Sequence, residues 1–375
     1  MTQAKVDVGV WRRGARRGVI ASLFASLLAL SASGCATHPF GPRAIQPARL
    51  GYNEALVRSA DQQLLLNIVR LRYRDNPLFL DVSNIVAQYG RDVSASAALL
   101  LASPGGSDEV GAGFDFGMSE NPLITLTPLR GDEFASRMLA PIAAKEVVAL
   151  AFSGWSIGRL LICCVQEIHG VRNAITASGP TPAVAPEFEP FHRAAALLRK
   201  FQLSGALAIS LDAEGSVVLN LKADAARIDP AELAELRRIL TLEESTERIR
   251  LVPPTIDLST SDVPYLGRSL LGVFYLLSQA VEVPAEHEQR GWVTVTRDAQ
   301  GERFDWSRVL GSIFRVHSGS KPPTESAVAV RYRGNWFWVA DDDLDSKSTL
   351  SLVTLFFTLK SGSGSGATPL IAISK

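Results

Sequence analysis

This sequence lacks the motifs of the common hydrolases and of metal sites. It has five histidines in 375 residues, and none stands at the spacing of metal ligands; HExxH, GxSxG and phosphate-loop patterns are missing as well. One histidine lies in Glu286-His287-Glu288 after Pro284, a triplet typical of a surface. We therefore expect no catalytic residue, no metal and no cofactor. An enzyme whose site is assembled from distant residues stays open as an alternative.

Long basic blocks are missing too. Lys and Arg together number 38, and so do Asp and Glu. The first 34 residues hold five of the basic residues and one of the acidic ones, so the rest of the chain has 33 basic and 37 acidic residues. A surface that follows nucleic-acid phosphates needs an excess of Lys and Arg. The charge balance therefore argues against nucleic acid as a partner.

What is present begins with an export signal. Basic residues end at Arg17, and the run from 19 to 30 carries no charge, which is typical of a secretory signal peptide and is too short for a permanent anchor. Ala32-Ser33-Gly34-Cys35 follows and resembles a bacterial lipobox. The resemblance implies cleavage between Gly34 and Cys35 and acylation of the Cys35 sulfur.

Several features of export leave alternatives open. The usual lipobox has Leu where this sequence has Ala32, so a plain signal peptide with an incidental cysteine, or an uncleaved anchor, is the alternative. Ala36 in place of Asp favours the outer over the inner membrane. Arg16-Arg17 permits the twin-arginine route, although the residues around it favour general secretion. We expect a lipid-anchored protein of the outer membrane that faces the periplasm.

The mixture of predicted hairpins and helices indicates an α+β fold, and 375 residues are enough for two domains. Hydrophobic residues make up 47% of the chain and charged residues 20%, as in globular proteins. Residues 175–187 are rich in Pro, Ala, Ser and Thr without periodicity, which indicates a domain boundary. The predicted segments are a signal peptide (1–34), a lipid tether (35–50), an N-terminal α+β domain (51–174), a linker (175–187), a C-terminal α+β domain (188–360), and a flexible Gly/Ser segment with a terminal strand (361–375).

Capping residues mark several predicted helices. Ser59-Ala60-Asp61-Gln62 has the form of a capping box. Ser156 precedes an amphipathic stripe that continues to a glycine cap at Gly170. Asp229-Pro230 combines an N-cap with proline at the first helical position. Residues 266–281 predict an apolar helix, and Asp212-Ala213-Glu214-Gly215 predicts a hairpin turn.

The region between Val93 and Thr127 predicts two or three strands with small residues on both faces. Such strands suggest an alternative function, an oligomeric outer-membrane pore to which each copy contributes hairpins from residues 93–127. That function requires an apolar face toward lipid and a polar face toward water.

Two clusters have an ordinary structural explanation. Cys163 and Cys164 lie on and beside the apolar face of the Ser156 helix, about 100° apart, so we expect buried thiols; a redox pair is the alternative. Residues 341–345 include four aspartates but lack the alternation, glycine and final glutamate of a calcium loop. We expect these carboxylates to favour the start of the helix at Ser346.

Arginine and aromatic residues alternate in VRYRGNWFWV. Gly334-Asn335 suits a tight hairpin turn, which places Trp336 and Trp338 on one face of a strand. Arg331, Arg333, Trp336 and Trp338 are therefore a candidate binding face for glycans, peptides or a protein partner. Cross-strand packing under the last helix is the simpler alternative.

Two segments, RSADQQLLLNIVRLRYRDNPLFLDVS and RYRGNWFWVADDDLDSKSTLSLVTLFFTL, resemble uncharacterised proteobacterial envelope lipoproteins. The resemblance covers most of the chain after the signal peptide and implies an envelope location, but no activity and no site residues. The sequence predicts a non-catalytic scaffold or accessory subunit of a cell-envelope complex, bound to the membrane by its lipid and to protein partners.

Overall fold

The structure is a computed structural model that describes residues 42–100, 109–221, 229–254 and 262–361. The described residues divide into two units between Ala60 and Asp61, and the second is called below the unit formed by residues 61–375. The predicted α+β class is confirmed. The lipobox, with Gly34 and Cys35, and residues 362–375 lie outside the described residues.

The described elements are as follows. The helices are α1 (Pro42–Arg72), α2 (Asp132–Leu139), α3 (Ala144–Phe152), α4 (Ile157–Cys164), α5 (Glu189–Ser204), α6 (Pro230–Ile239), α7 (Leu270–Ser278), α8 (Ala285–Gln289), α9 (Ser307–Leu310) and α10 (Leu344–Ser361). The strands are β1 (Leu80–Leu100), β2 (Glu109–Pro128), β3 (Val165–Ile168), β4 (Val171–Arg172), β5 (Leu207–Leu211), β6 (Val217–Leu221), β7 (Arg248–Val252), β8 (Asp262–Gly267), β9 (His317–Gly319), β10 (Val328–Tyr332) and β11 (Asn335–Val339). Within the described ranges, no helix is both long enough and apolar enough to cross a membrane.

A six-stranded sheet with the order β4-β3-β8-β7-β6-β5 supports the main core. Its neighbouring strands are antiparallel except β7 and β8, which are parallel. Strand β3 precedes residues 175–187 and pairs with β8, which follows them. The predicted linker therefore lies inside the unit formed by residues 61–375, and it includes a short 3-10 helix, Ile175–Ser178.

Helix α4 ends six residues before the predicted position. Ser156 caps it as predicted, with its side chain accepting a hydrogen bond from the Arg159 backbone N–H. After Cys164 the chain continues as β3, and Gly170, with φ +80°, lies in the turn that follows. The prediction of a helix to Gly170 was wrong because pairing with β8, a strand about a hundred residues later, overrides the local helical pattern.

Other local predictions had mixed outcomes. The Asp229 cap is confirmed, since its Oδ1 accepts a hydrogen bond from Ala231 N–H at 2.9 Å. The hairpin turn at Asp212–Gly215 is confirmed between β5 and β6.

The helix start at Ser59 was wrong, because α1 begins at Pro42 and includes residues 42–50 of the predicted tether. The apolar helix begins at Leu270, since residues 262–267 are recruited into the sheet as β8.

Strands β1 and β2 form a long antiparallel hairpin of 21 and 20 residues. They are the only strands of their sheet among the described residues. The register runs from Leu80 opposite Pro128 to Leu100 opposite Glu109, with one irregularity between Val82 and Asn84. No other described element makes more than marginal contact with either strand. The hairpin therefore stands apart from the sheets of the core.

The C-terminal sheet has the order β10-β11-β9. Arg333 and Gly334 join β10 to β11 with φ values of +45° and +88°, as a two-residue hairpin turn requires. The turn thus lies one residue before the predicted Gly334-Asn335. Asp343 accepts hydrogen bonds from the backbone N–H and the hydroxyl of Ser346 at 3.0 and 2.5 Å, so capping of the last helix by the acidic run is confirmed.

Candidate functional site

A cavity of about 480 Å³ lies within the unit formed by residues 61–375. The end of α1, the end of α7 and the segment 303–315 contribute its lining. Phe304, Trp306 and Phe314 supply buried aromatic rings, while Arg72 and Gln279 supply buried polar side chains. The volume is that of a small-molecule site, and about half of the lining residues are polar or charged.

Arg72 is the buried cation of this cavity. It is the last residue of α1 and only 4% exposed. Its Nη1 donates to Thr181 Oγ1 at 3.0 Å and to the Thr294 carbonyl at 3.2 Å, whereas Nε has no partner among the described residues. Burial lowers the pKa of Arg72 to about 10, and the nearby charge of Glu288 partly opposes that shift. An anion beside the guanidinium would relieve the cost of burying this charge.

Gln279 contributes a second unsatisfied group. Its Nε2 donates to the Tyr275 carbonyl at 3.0 Å and to Ser278 Oγ at 3.2 Å, while Oε1 has no partner within the described part of the chain. A buried polar atom without a partner costs about 1–3 kcal/mol. Water or a polar ligand that satisfies such atoms therefore stabilises the cavity.

Charged side chains of both signs border the cavity. Arg303 contacts both carboxylate oxygens of Glu288, at 2.7 and 2.8 Å. Asp305 accepts hydrogen bonds from Ser307, which together lower the pKa of its carboxyl group. Among the described residues that line the cavity there is no histidine or cysteine, and no described cluster of three His, Cys, Asp or Glu side chains could hold a metal ion. The charged and hydrogen-bonding side chains that line the cavity could therefore bind a polar ligand.

His287 lies beside this region in a buried aromatic cluster. Its Nδ1 is 2.7 Å from Tyr73 Oη, its Nε2 is 3.3 Å from Asn335 Nδ2, and its ring is 4.7 Å from that of Trp292. Only 1% of the residue is exposed, so the prediction of a surface triplet was wrong for His287. Burial lowers the pKa of its imidazole. From α8, the histidine thus contacts the residue that follows α1 and the first residue of β11.

The predicted binding face is only partly assembled. Arg331 lies opposite Trp336 in the β10–β11 register, so these residues share a sheet face with Trp338. Both tryptophans are half-buried, and Trp338 packs against His317 with ring centres 5.6 Å apart. Arg333 is directed elsewhere, because its guanidinium contacts Asp75 at 2.8 Å. The face therefore consists of Arg331, Trp336 and Trp338.

Arg333 belongs to the His287 cluster. Its guanidinium carbon lies 5.2 Å from the ring centres of both Tyr73 and Trp292. Asp75 also accepts a hydrogen bond from Tyr332. These contacts lower the pKa of the Asp75 carboxyl group against the opposing effect of burial. Arg333, a residue of the β10–β11 turn, thus packs against the cluster around His287 through cation–π stacking and through its ion pair with Asp75.

Cys163 and Cys164 are free, fully buried thiols. Burial raises the pKa of Cys163 to about 12 and raises that of Cys164 as well. A thiol reacts through its thiolate, so both side chains are held in the unreactive form. The predicted buried thiols are confirmed.

His192 predicts a loss of stability in acid. Its ring packs 5.1 Å from that of Phe188, and burial lowers its pKa to about 4. A histidine kept neutral in the fold stabilises it fully above the unfolded pKa of about 6.5 and loses that stabilisation as the pH falls toward 4. We expect the free energy of unfolding to fall by about 2 kcal/mol from this group between about pH 7 and pH 5.

Urea unfolding of wild type and His192→Gln at both pH values measures this effect. Glutamine keeps a polar group near Asn173, which His192 Nε2 approaches at 3.3 Å, but it cannot be protonated. The variant should lose less stability than wild type over this pH interval. An equal loss in both proteins would show that His192 is not the responsible group.

No motif in the sequence predicts the cavity. Arg72, Gln279 and Glu288 come from distant parts of the chain and form no motif. Arg72 is one of two arginines in the last turn of α1, where the helix dipole favours cations, so its position alone does not predict a site. Comparison with protein-family profiles, curated proteins and solved structures finds no match for this chain.

Proposed function

We propose that this protein is a lipid-anchored, non-catalytic subunit of a cell-envelope assembly, whose copies associate through the β1–β2 hairpin. The observation that carries the proposal is the hairpin itself. Its strands have 21 and 20 residues, and neither has a second strand neighbour among the described residues. An isolated two-stranded hairpin is marginally stable in water, so strands of this length favour an additional partner.

Within the part of the chain that the structure describes, neither strand of the hairpin pairs with a third strand, so both outer edges can pair with such a partner. Long exposed edges are templates for further strand pairing, and soluble proteins normally shorten or cover them. At the base of the hairpin, Leu123, Ile124 and Leu126 are 65%, 51% and 53% exposed. Neighbouring exposed apolar residues mark interaction surfaces. A second copy of the same hairpin supplies matching edges and matching apolar residues.

The test compares the full chain with a variant in which residues 83–125 are replaced by Asn-Gly. This turn joins Val82 to Leu126, which are already register partners. We expect light scattering of detergent-purified protein to give an oligomer for the full chain and a monomer for the variant. No residue from 80 to 82 or from 123 to 128 belongs to the core, so the variant should keep its unfolding midpoint. A monomeric full chain, or an oligomeric variant, would contradict the proposal.

The anchor is tested separately at Cys35. Replacing Cys35 with serine removes the sulfur to which the diacylglycerol would be joined, so we expect no incorporation of radiolabelled palmitate and no cleavage of the signal peptide. Cys163→Ser is the matched control, because Cys163 is fully buried. The Cys163→Ser protein should still incorporate palmitate at Cys35. Palmitate on the Cys35→Ser protein would refute lipidation at this residue.

A second candidate function is suggested by Arg72. A buried cation beside aromatic walls suits a small carboxylate with an apolar body. Benzoate should raise the unfolding temperature of wild type and of Arg315→Lys, a change at the exposed rim, but not that of Arg72→Lys, which lacks the guanidinium fork. Equal shifts in all three proteins would place benzoate outside this cavity.

A further inference from the structure

We propose that the outer half of the β1–β2 hairpin inserts into a lipid bilayer, with one face toward the hydrocarbon and the other toward water. This inference rests on the proposed association of hairpins, and it adds a second partner, the membrane. The backbone register and the sequence together carry it.

The register divides the outer hairpin into two unlike faces. Paired residues lie on the same face of an antiparallel ladder, and alternate residues of one strand share a face. One face collects the pairs Val93 with Phe116, Ala95 with Phe114, Ala97 with Ala112, and Leu99 with Val110. All eight residues of this face are apolar.

The opposite face has a different composition. It collects the pairs Asp92 with Gly117, Ser94 with Asp115, Ser96 with Gly113, and Ala98 with Gly111. These positions hold two aspartates, two serines, three glycines and one alanine, and the same face continues at the end of the ladder with the pair Leu100 and Glu109. A strand with apolar and polar residues alternating in this way is the pattern of membrane-inserted strands, whose polar face borders water.

The apolar face covers most of the depth of a bilayer's apolar interior. From Val93 to Leu99 the strand extends about 20 Å at ~3.4 Å per residue, against an apolar band of about 25 Å on membrane-inserted strands. Toward the core, the same face continues with Arg91 and Tyr89. Aromatic and basic residues are typical at the membrane–water interface, so the apolar band ends there.

Bilayer insertion requires the association of hairpins. Hydrocarbon offers no hydrogen bonds, so every backbone N–H and C=O within it needs a protein partner. In the described ranges the outer half of the hairpin has no third strand beside it, whereas hairpins from neighbouring copies pair edge to edge. Their polar faces then adjoin and enclose water.

The test uses two neighbouring small residues on opposite faces, Ala95 and Ser96. Protein purified in detergent is reconstituted with vesicles of phosphatidylethanolamine and phosphatidylglycerol, and the fraction resistant to alkaline extraction is measured. A lysine on the lipid face costs about 2–4 kcal/mol near the bilayer midplane. We therefore expect Ala95→Lys to lower the inserted fraction at least tenfold and Ser96→Lys to leave it within about twofold of wild type.

A spectroscopic readout separates insertion from misfolding. Ala95→Cys and Ser96→Cys are labelled with an environment-sensitive fluorophore, since Cys163 and Cys164 are fully buried. On vesicles, the label at 95 should shift to the blue and be quenched by a nitroxide on the acyl chains, and the label at 96 should not. Equal behaviour of both positions, or equal loss with both lysines, would overturn the inference. An oligomeric chain that stays in water would overturn it too while leaving the proposed association intact.

Discussion

Replacing Gly267 with alanine is expected to cost at least about 3 kcal/mol of folding free energy. A Cβ atom at this position would lie 1.9 Å from the carbonyl oxygen of Ile142 and 3.0 Å from its carbonyl carbon. The clash is with backbone, which cannot rotate away as a side chain does. Ile142 is fully buried, its N–H donates to the Arg268 carbonyl at 3.0 Å, and its carbonyl accepts from Tyr265 Oη at 3.2 Å.

Urea unfolding of Gly267→Ala and Gly179→Ala measures this cost against a matched control. At Gly179 the backbone φ is −137°, and no atom lies within 4 Å of the position of a Cβ. Gly179→Ala should therefore stay within about 0.5 kcal/mol of wild type. Equal midpoints for the two variants would mean that β8 and the segment around Ile142 separate easily, contrary to their packing.

The sequence predicted best those features that neighbouring residues decide. The Ser156 and Asp229 caps and the Asp343 contacts with Ser346 each depend on a side chain and a backbone group two or three residues away. The α+β class follows from the periodicity of such segments. The hairpin was partly predicted as well, since strands were expected between residues 93 and 127, although pairing extends the ladder back to Leu80.

What the sequence could not predict depends on distant partners. The end of α4 is decided by β8, and β8 in turn occupies residues that locally resemble the start of an apolar helix. The cavity has the same origin, because Arg72 contacts Thr181 and Thr294, more than a hundred residues away. Periodicity and capping contain no information about such pairings, which arise only when the sheet and its helices pack together.

Replacing Arg268 with methionine is expected to cost about 3 kcal/mol. Arg268 is fully buried, and its guanidinium donates to the carbonyls of Val165 and Asn173, at 3.3 and 2.8 Å, and to the Ser178 hydroxyl. Hydrogen bonds from a charged group contribute about 1.5–3 kcal/mol each, and methionine would remove all three, although the Val165 carbonyl would keep the hydrogen bond that it accepts from Asn173 Nδ2 at 2.6 Å.

The burial of the Arg268 charge opposes this stabilisation. Burial lowers its pKa to about 10, so keeping the cation in the core has a cost comparable to one or two of these hydrogen bonds. Three hydrogen bonds outweigh that cost, and the variant should be less stable than wild type. The sign of the change therefore tests whether the hydrogen bonds or the desolvation dominates at this site.

Urea unfolding measures the change, with Arg238→Met as the control. Arg238 is exposed in the last turn of α6, so its replacement should stay within about 0.5 kcal/mol of wild type. Arg268→Lys keeps the charge but lacks the planar guanidinium that reaches three acceptors. We expect its free energy of unfolding to be lower than that of wild type. If Arg268→Met matched wild type, the desolvation of the guanidinium would cancel its three hydrogen bonds, and Arg268 would contribute no net stability to the segment from Asn173 to Ser178.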